Sequence, residues 1–338
     1  MKKPHALILI FALTLFLLAS CTTGAPVEAP PASEAPSSAP TVALVVSGAF
    51  GDRAFNDSAK KGCDDLIKEG ISVTTIECHY ENHTQQIYNA AEIADIVILV
   101  GWDFYDVETV APEHEDKRFI WIDNATSSPV ANVLNITFAQ NEGSFLAGYI
   151  AARTSQSGII GAVGGRDLDN INDFIVGYRQ GALCANPDID VQVVYSGTYD
   201  DPVVGKKCAL ELNELGADVI FQIAGKCGSG VFDAAKEKGF YAIGVDSDQK
   251  YIDPDAIICS MYKDVGAAIY DAVMRHTAEG DDCGLWGSTW VAGMESHYVG
   301  IGYGEEGLPQ QIDDDLKHEV EELAGKIVSG EIVVDTTR

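Results

Sequence analysis

From Thr41 onward the chain alternates short runs of aliphatic and β-branched residues with longer stretches whose apolar positions recur at helical spacing. The runs Val42 to Val46, Val73 to Ile76, Asp95 to Val100 and Phe119 to Ile122 predict strands, and Phe55 to Lys68, Thr84 to Ile93 and Phe104 to Pro112 predict helices between them. The pattern then starts again. Glu142 to Arg153, Asn172 to Cys184, Pro202 to Leu215 and Gly230 to Lys238 read as helices, while Ile159 to Val163, Val191 to Tyr195, Val219 to Ile223, Tyr241 to Val245 and Ala256 to Ser260 read as strands. Strands this continuously apolar belong in parallel sheets covered on both faces, so the expected class is α/β with two doubly wound lobes. Three segments remain, Asp264 to His276, His297 to Tyr303 and Asp314 to Ile327, and crossing back between lobes would let them complete both sheets. The expected division is a first lobe of residues 41–138 plus about 264–295 and a second of 139–263 plus about 296–330. Two such lobes facing each other enclose a cleft, and open α/β sheets bind ligands beyond the carboxyl ends of their strands.

The start of the chain follows another pattern. Lys2 and Lys3 precede an apolar run from Ala6 to Leu18 that closes in Leu18-Ala19-Ser20-Cys21. A basic start, a short apolar core and small residues before a cut site describe an export leader over residues 1–20, too short for a comfortable membrane span. Leu-Ala-Ser-Cys resembles the bacterial lipobox, so Cys21 is expected to become the first mature residue and to carry the lipid. Residues 21–40 are almost entirely Ala, Pro, Ser, Thr, Glu and Val, with too little apolar bulk for a core, and are expected to form a disordered tether. The protein is therefore expected outside the cytoplasmic membrane, lipid-anchored to it.

Charge narrows the partners. The chain has 22 basic and 51 acidic residues, and loss of Lys2 and Lys3 with the leader takes the formal charge from −29 to −31. Such a surface lacks the attraction that dominates binding to phosphate backbones, which disfavours nucleic acid. Eight cysteines leave seven in the body once Cys21 is set aside, an odd number. Export permits oxidation, and the candidate bridges are Cys63 with Cys78, Cys184 with Cys208, and Cys227 with Cys259. Metal binding is the weaker alternative. No C-x-x-C is present, and His79 and His83, beside Cys78, lack the glutamate of H-E-x-x-H and read as a solvated loop.

The strand ends are where chemistry is sought. Ser47-Gly48-Ala49-Phe50-Gly51-Asp52-Arg53-Ala54-Phe55-Asn56 follows the first strand and brings glycines, a carboxylate, an aromatic and an amide to the mouth. The plain structural account is a helix start capped near Asp52, with Phe55 packing inward. Asp123 ends a strand, where it either caps a turn or accepts hydrogen bonds from a ligand. The turn Gly225-Lys226-Cys227-Gly228-Ser229-Gly230 offers backbone amides to a ligand oxygen or is simply a tight βα turn. Asp246-Ser247-Asp248-Gln249 closes another strand, and Lys263 lies within reach as a ligand contact or as half of a structural ion pair.

Taken together these segments resemble the basic membrane protein family of bacterial lipoproteins, a group that includes purine nucleoside receptors of ABC importers. The resemblance runs through Gly51-Asp52-Arg53-Ala54-Phe55-Asn56, Gly101-Trp102 with Phe104, and Asn141-Glu142-Gly143-Ser144-Phe145-Leu146-Ala147-Gly148-Tyr149. It continues through Ile160 to Gly165, Ala224-Gly225 with Gly228, Ile243 to Gln249, and Ser260 with Lys263. It implies the type I periplasmic-binding-protein fold, two α/β lobes joined by three crossings. It also implies that Phe55 and Phe221 flank a flat purine, that Asn56 and Asp123 address its polar edge, and that Asp246 and Lys263 hold ribose hydroxyls. Ser47, Asp52, Trp102 and Gly225 complete the candidate ligand-binding set. Two positions depart from the family pattern: Ser47 stands where many nucleoside-binding relatives carry an acidic residue, and Lys226-Cys227 interrupts the glycine turn.

The function implied is a monomeric, lipid-anchored receptor that closes over a nucleoside and delivers it to ABC permease subunits, with no cofactor and no catalysis. An exported nucleoside-processing enzyme is the rival class, since Asp246 and Asp248 are a possible metal or acid/base pair, yet no nucleophile elbow or aspartate run at the first strand end accompanies them. A sensor lipoprotein of the same fold is the third.

Overall fold

The computed structural model describes residues 39–337; the leader, Cys21 and nearly all of the tether fall outside them. In the first lobe β1 (Thr41–Val46), β2 (Ser72–Glu77), β3 (Ile96–Val100), β4 (Arg118–Ile122) and β5 (Val133–Phe138) alternate with α1 (Phe55–Lys68), α2 (His83–Ile93) and the one-turn α3 (Val107–Val110). The second lobe contains α4 (Gln140–Thr154), β6 (Ile159–Gly164), α5 (Asp169–Ala185), β7 (Asp190–Tyr195), α6 (Pro202–Glu214), β8 (Val219–Ile223), α7 (Gly228–Lys238), β9 (Tyr241–Asp246) and β10 (Ile257–Lys263). The chain then forms α8 (Val265–Glu279), β11 (Ser288–Ala292), β12 (Val299–Gly302) and α9 (Asp314–Val328).

Two six-stranded sheets result, in the orders β11-β5-β4-β3-β1-β2 and β12-β10-β9-β8-β6-β7. All pairings are parallel except that of β12 with β10. Each central strand is buried on both faces because alternate residues feed different cores. In β1, Val42, Leu44 and Val46 enter one apolar cluster and Ala43 and Val45 the other; in β3, Ile96, Ile98 and Val100 separate from Val97 and Leu99 in the same way. The first of these clusters continues into the second lobe through Phe138, Ala147 and Ile243.

The chain passes between lobes at Ala139, at Asp264 and through 293–298. These passages hold one another. Ala139 N donates to Ala292 O at 3.0 Å, Asp264 N to Tyr298 O at 2.7 Å, and Met294 N to Glu142 Oε2 at 2.9 Å.

α4 and α5 pack backbone to backbone. A Cβ placed on Gly148 would lie 1.9 Å from Tyr178 O, and one on Gly181 only 1.8 Å from Phe145 O, so this approach requires glycine. The contact sets the position of α5, whose first turns face the cleft.

Several local expectations change. β5 and β11 are strands that the apolar pattern did not indicate: Asn135 interrupts the first, and the second is an edge strand with alternate residues exposed. The helix expected over Phe104 to Pro112 is a 3₁₀ turn at Trp102–Phe104, the single turn of α3, and a second 3₁₀ turn at Ala111–Glu113, where Pro112 has no N–H to continue a ladder. β10 runs on to Lys263, so that lysine is the last residue of a strand.

The candidate disulfides do not form: the seven body cysteines are all free thiols. Sheet geometry explains this. Cys63 and Cys78 belong to clusters on opposite faces of the first sheet, and Cys259 and Cys227 to clusters on opposite faces of the second. Cys184 is exposed on α5, while Cys208 is buried in the cluster under α6 on the other face.

Candidate functional site

A cavity of about 860 Å³, part of it open to solvent, lies between the lobes. Its walls come from the carboxyl ends of β1, β3 and β4 on one side and of β8, β9 and β10, with the first turns of α5, on the other. Of the ligand-binding candidates named from sequence, Ser47, Asp52, Phe55, Asn56, Trp102, Asp123, Gly225, Asp246 and Lys263 all line it.

Phe221 does not. Its ring is fully buried within the second lobe, edge-on to Phe174 at 6.4 Å and 5.4 Å from Tyr178. The residue expected to flank the ligand lies one layer deeper, and Phe174 from α5 takes its place on the wall.

Lys263 organises one end of the site. Its side chain is only 2% exposed; Nζ lies 2.9 Å from Asp123 Oδ1 and 3.8 Å from Asp246 Oδ1. Three rings surround the ammonium, with centroids at 4.7 Å for Phe55, 5.4 Å for Phe138 and 5.2 Å for Phe174. Asn170 Nδ2 donates to the other oxygen of Asp123 at 3.1 Å. One ammonium therefore faces two largely buried carboxylates. Burial raises Asp246 from an ordinary 3.8 to about 7; Lys263 opposes that rise, and the charges of Asp123 and Asp52 add to it. Both Asp123 and Asp246 hold left-handed backbone, at φ 72° and 63°, a conformation that aspartate tolerates better than most residues.

The loop after β1 is fixed from within. Asp52 accepts hydrogen bonds from the backbone N–H groups of Ala54 at 3.0 Å, Asn56 at 2.8 Å and Asp57 at 3.1 Å. Burial pushes its carboxyl up, against the pull of those amides. The expected cap near Asp52 is present and it also places Phe55 and Asn56, whose Nδ2 donates to Ala49 O at 3.0 Å.

Some wall residues were missed by sequence reasoning. Tyr80 follows β2 in the stretch read as a solvated loop. Asn170 and Phe174 lie in or just before a helix whose apolar spacing suggested only a core face. Asp103 sits in the 3₁₀ turn after β3, where Ser47 Oγ donates to its Oδ2 and lies 3.1 Å from His83 Nε2. His83, also read as solvated, thereby touches a wall residue. No signal in the local pattern joins these positions. Among the described residues no cluster of His, Cys, Asp and Glu is arranged to hold a metal.

Contacts across the mouth hold the lobes together. Gln249 Nε2 donates to Arg53 O at 2.9 Å, and Lys263 and Asn170 reach across to Asp123. Arg166 of the second lobe lies over the ring of Tyr80 in the first, at 5.9 Å, and over Tyr199 at 5.5 Å. Two α/β lobes packed around a cavity of aromatic and charged side chains, lined from strand ends, define a bilobed solute-binding protein.

Comparison with known proteins agrees. The family described as "ABC transporter substrate-binding protein PnrA-like" matches residues 39–338. Basic membrane protein A of Borreliella burgdorferi is 34% identical over 309 residues, covering 88% of each chain, and basic membrane protein D of the same species is 33% identical over 299 residues, covering 86% of this chain and 84% of that one. A crystal structure of ABC transporter solute-binding proteins from Aeropyrum pernix superposes with a TM-score of 0.79 at 28% identity, over 88% of this chain and 94% of the other. One from Conexibacter woesei has the same fold at 23% identity and a TM-score of 0.71, over 88% of this chain and 98% of that one. The chain belongs to the PnrA-like family of ABC transporter substrate-binding proteins. It is a binding protein and not an enzyme, and its class works with a small-molecule ligand and a membrane permease.

Proposed function

We propose that the protein is a monomeric, lipid-anchored receptor for a purine nucleoside, which it delivers to its permease. The observation that carries the ligand assignment is the pairing of two aromatic rings with a buried charge cluster. Phe55 and Phe174 line the same cavity, each about 5 Å from Lys263 Nζ. Apolar ring faces favour a flat heterocycle, and Lys263, Asp246 and Asp123 together offer a donor and acceptors to vicinal hydroxyls. Buried polar groups of this kind penalise ligands without matching partners, which supports a sugar-bearing ring over a bare base. Asp123 engages Lys263 and Asn170, so it acts with the hydroxyl-binding end and not with the base edge.

A thermal-shift comparison of nucleosides, free bases and free sugars tests this, because a ligand of the native state raises stability with concentration. Guanosine, inosine or adenosine should raise the midpoint of the purified protein, and Phe55→Ala should abolish the rise. A flat response to every nucleoside would refute the ligand assignment.

The anchor rests on Leu18-Ala19-Ser20-Cys21 at the end of the apolar leader, since no helix among the described residues is long and apolar enough to cross a membrane. Cys21→Ser should move the protein from the membrane fraction to the soluble fraction, and should stop incorporation of labelled fatty acid.

A further inference from the structure

Each carboxylate around the cavity has a different occupation. Asp52 accepts three backbone N–H groups, and Asp123 is taken by Lys263 and Asn170. Asp246 lies against Lys263, and Asp200 is exposed. Among these five, Asp103 is the one that accepts from a side-chain hydroxyl. It is partly buried on the first-lobe wall; one oxygen, Oδ2, accepts from Ser47, and no described side chain is seen to engage Oδ1.

The support of Asp103 is built. Ser47 has a single hydroxyl proton, which is directed to Asp103, so the oxygen of Ser47 must accept from His83 Nε2 at 3.1 Å, and that nitrogen carries the hydrogen. The imidazole is held edge-on to the buried Phe104 ring at 5.2 Å. Gly101, at φ 126°, lets the turn approach so closely that a Cβ there would lie 2.9 Å from Ser47 Cβ. Beside Asp103, Trp102 also lines the cavity, and its Nε1–H is buried with no acceptor among the described residues.

We infer that Asp103, oriented by Ser47 and His83, is the specificity-determining carboxylate for the base edge, and that it selects 6-oxopurine nucleosides over adenosine. This rests on the nucleoside reading above. A carboxylate only accepts, and Trp102 Nε1 only donates. With the sugar fixed at the Lys263 end, guanine presents O6 to a donor and N1–H and its 2-amino group to an acceptor. Hypoxanthine offers O6 and N1–H alone. Adenine presents an amino group to the indole N–H and a lone pair to the carboxylate, leaving both protein groups unpaired. Ser47 and His83 are positioning residues: they touch Asp103 directly or through one another.

The test is calorimetric titration of the full chain with guanosine, inosine and adenosine, for wild type, Asp103→Asn, Ser47→Ala and His83→Gln. Affinity should fall in the order guanosine, inosine, adenosine. Hydrogen bonds to a charged group set the scale at about 10- to 100-fold between guanosine and adenosine. Asp103→Asn should collapse that ratio mainly by weakening guanosine. Ser47→Ala should reduce it partially, and His83→Gln, which retains a donor, should keep it. Equal affinities in wild type, or an unchanged ratio in both Asp103→Asn and Ser47→Ala, overturn the inference and leave the nucleoside reading standing. Absence of binding to all three nucleosides overturns both. If Asp103→Asn does not fold, the Ser47→Ala ratio decides.

Discussion

Lys263 shows what one side chain can impose. It is a long, flexible cation in most settings, but here it is enclosed by three rings and faces two carboxylates, so its place is fixed by the fold. Asp246 is the group raised to about 7 from its ordinary 3.8. Between those pH values the folded protein retains a proton that the unfolded chain has released, so its contribution to stability is full at the acid end and is lost as pH rises towards 7. Asp246→Asn removes that titration. Without ligand, the stability of wild type relative to Asp246→Asn should decline across the window by up to about 4 kcal/mol. Urea unfolding at several pH values measures it, and a constant difference from pH 4 to pH 8 would refute the assignment. Asp246 and Lys263 were visible as candidates in the sequence because each follows a strand-like apolar run. Nothing in the sequence indicated that Asp123 would be their partner, because the three come from strands that meet only in space.

At the scale of elements, the α4–α5 contact matters most for the site. α5 carries Asn170 and Phe174 to the cavity, and its position is set by backbone contact with α4. Gly181→Ala tests this directly. Helix propensity favours alanine by about 1 kcal/mol, but the added methyl would sit 1.8 Å from Phe145 O, a backbone atom that cannot rotate away. Overpacking should win, with a net loss of about 1–3 kcal/mol and weaker ligand binding as α5 moves outward. A variant that is more stable than wild type in chemical denaturation would show that propensity prevails. Sequence periodicity located both helices to within a few residues. It did not single out Phe174, because an apolar residue at helical spacing carries no mark distinguishing a cavity wall from an interior. β5 and β11 escaped for a related reason: an asparagine or an exposed alternate position breaks the apolar run that identifies a strand, while sheet pairing tolerates both.

For the whole molecule, the contacts that join the two lobes across the cavity matter most. Arg166 lies between Tyr80 of one lobe and Tyr199 of the other, at the rim of the cavity. Each cation–π contact is worth about 0.5–1 kcal/mol at a partly exposed position, and the contact with Tyr80 exists only when the lobes meet. Arg166→Ala should therefore speed release of a bound nucleoside by about 2- to 5-fold, by the energy of that one contact, and leave ligand-free stability nearly unchanged. Stopped-flow release from the loaded protein is the measurement, and an unchanged off-rate would remove Arg166 from the closure contacts.

The sequence by itself determined the α/β class, the two-lobed plan and the strand ends that meet at the cleft. Those properties follow from periodicity and strand order, which are local or nearly so. Tertiary structure decided the rest. It placed Phe174 and not Phe221 on the wall, since which strand-end ring is covered depends on how α5 packs over β8. It kept the cysteines apart, because the candidate partners project to opposite sheet faces. It also paired Asp123 with Lys263 across the cleft and Asp103 with Ser47 on the cavity wall, since the pairing of a charge depends on distances of a few ångströms between segments far apart in the chain.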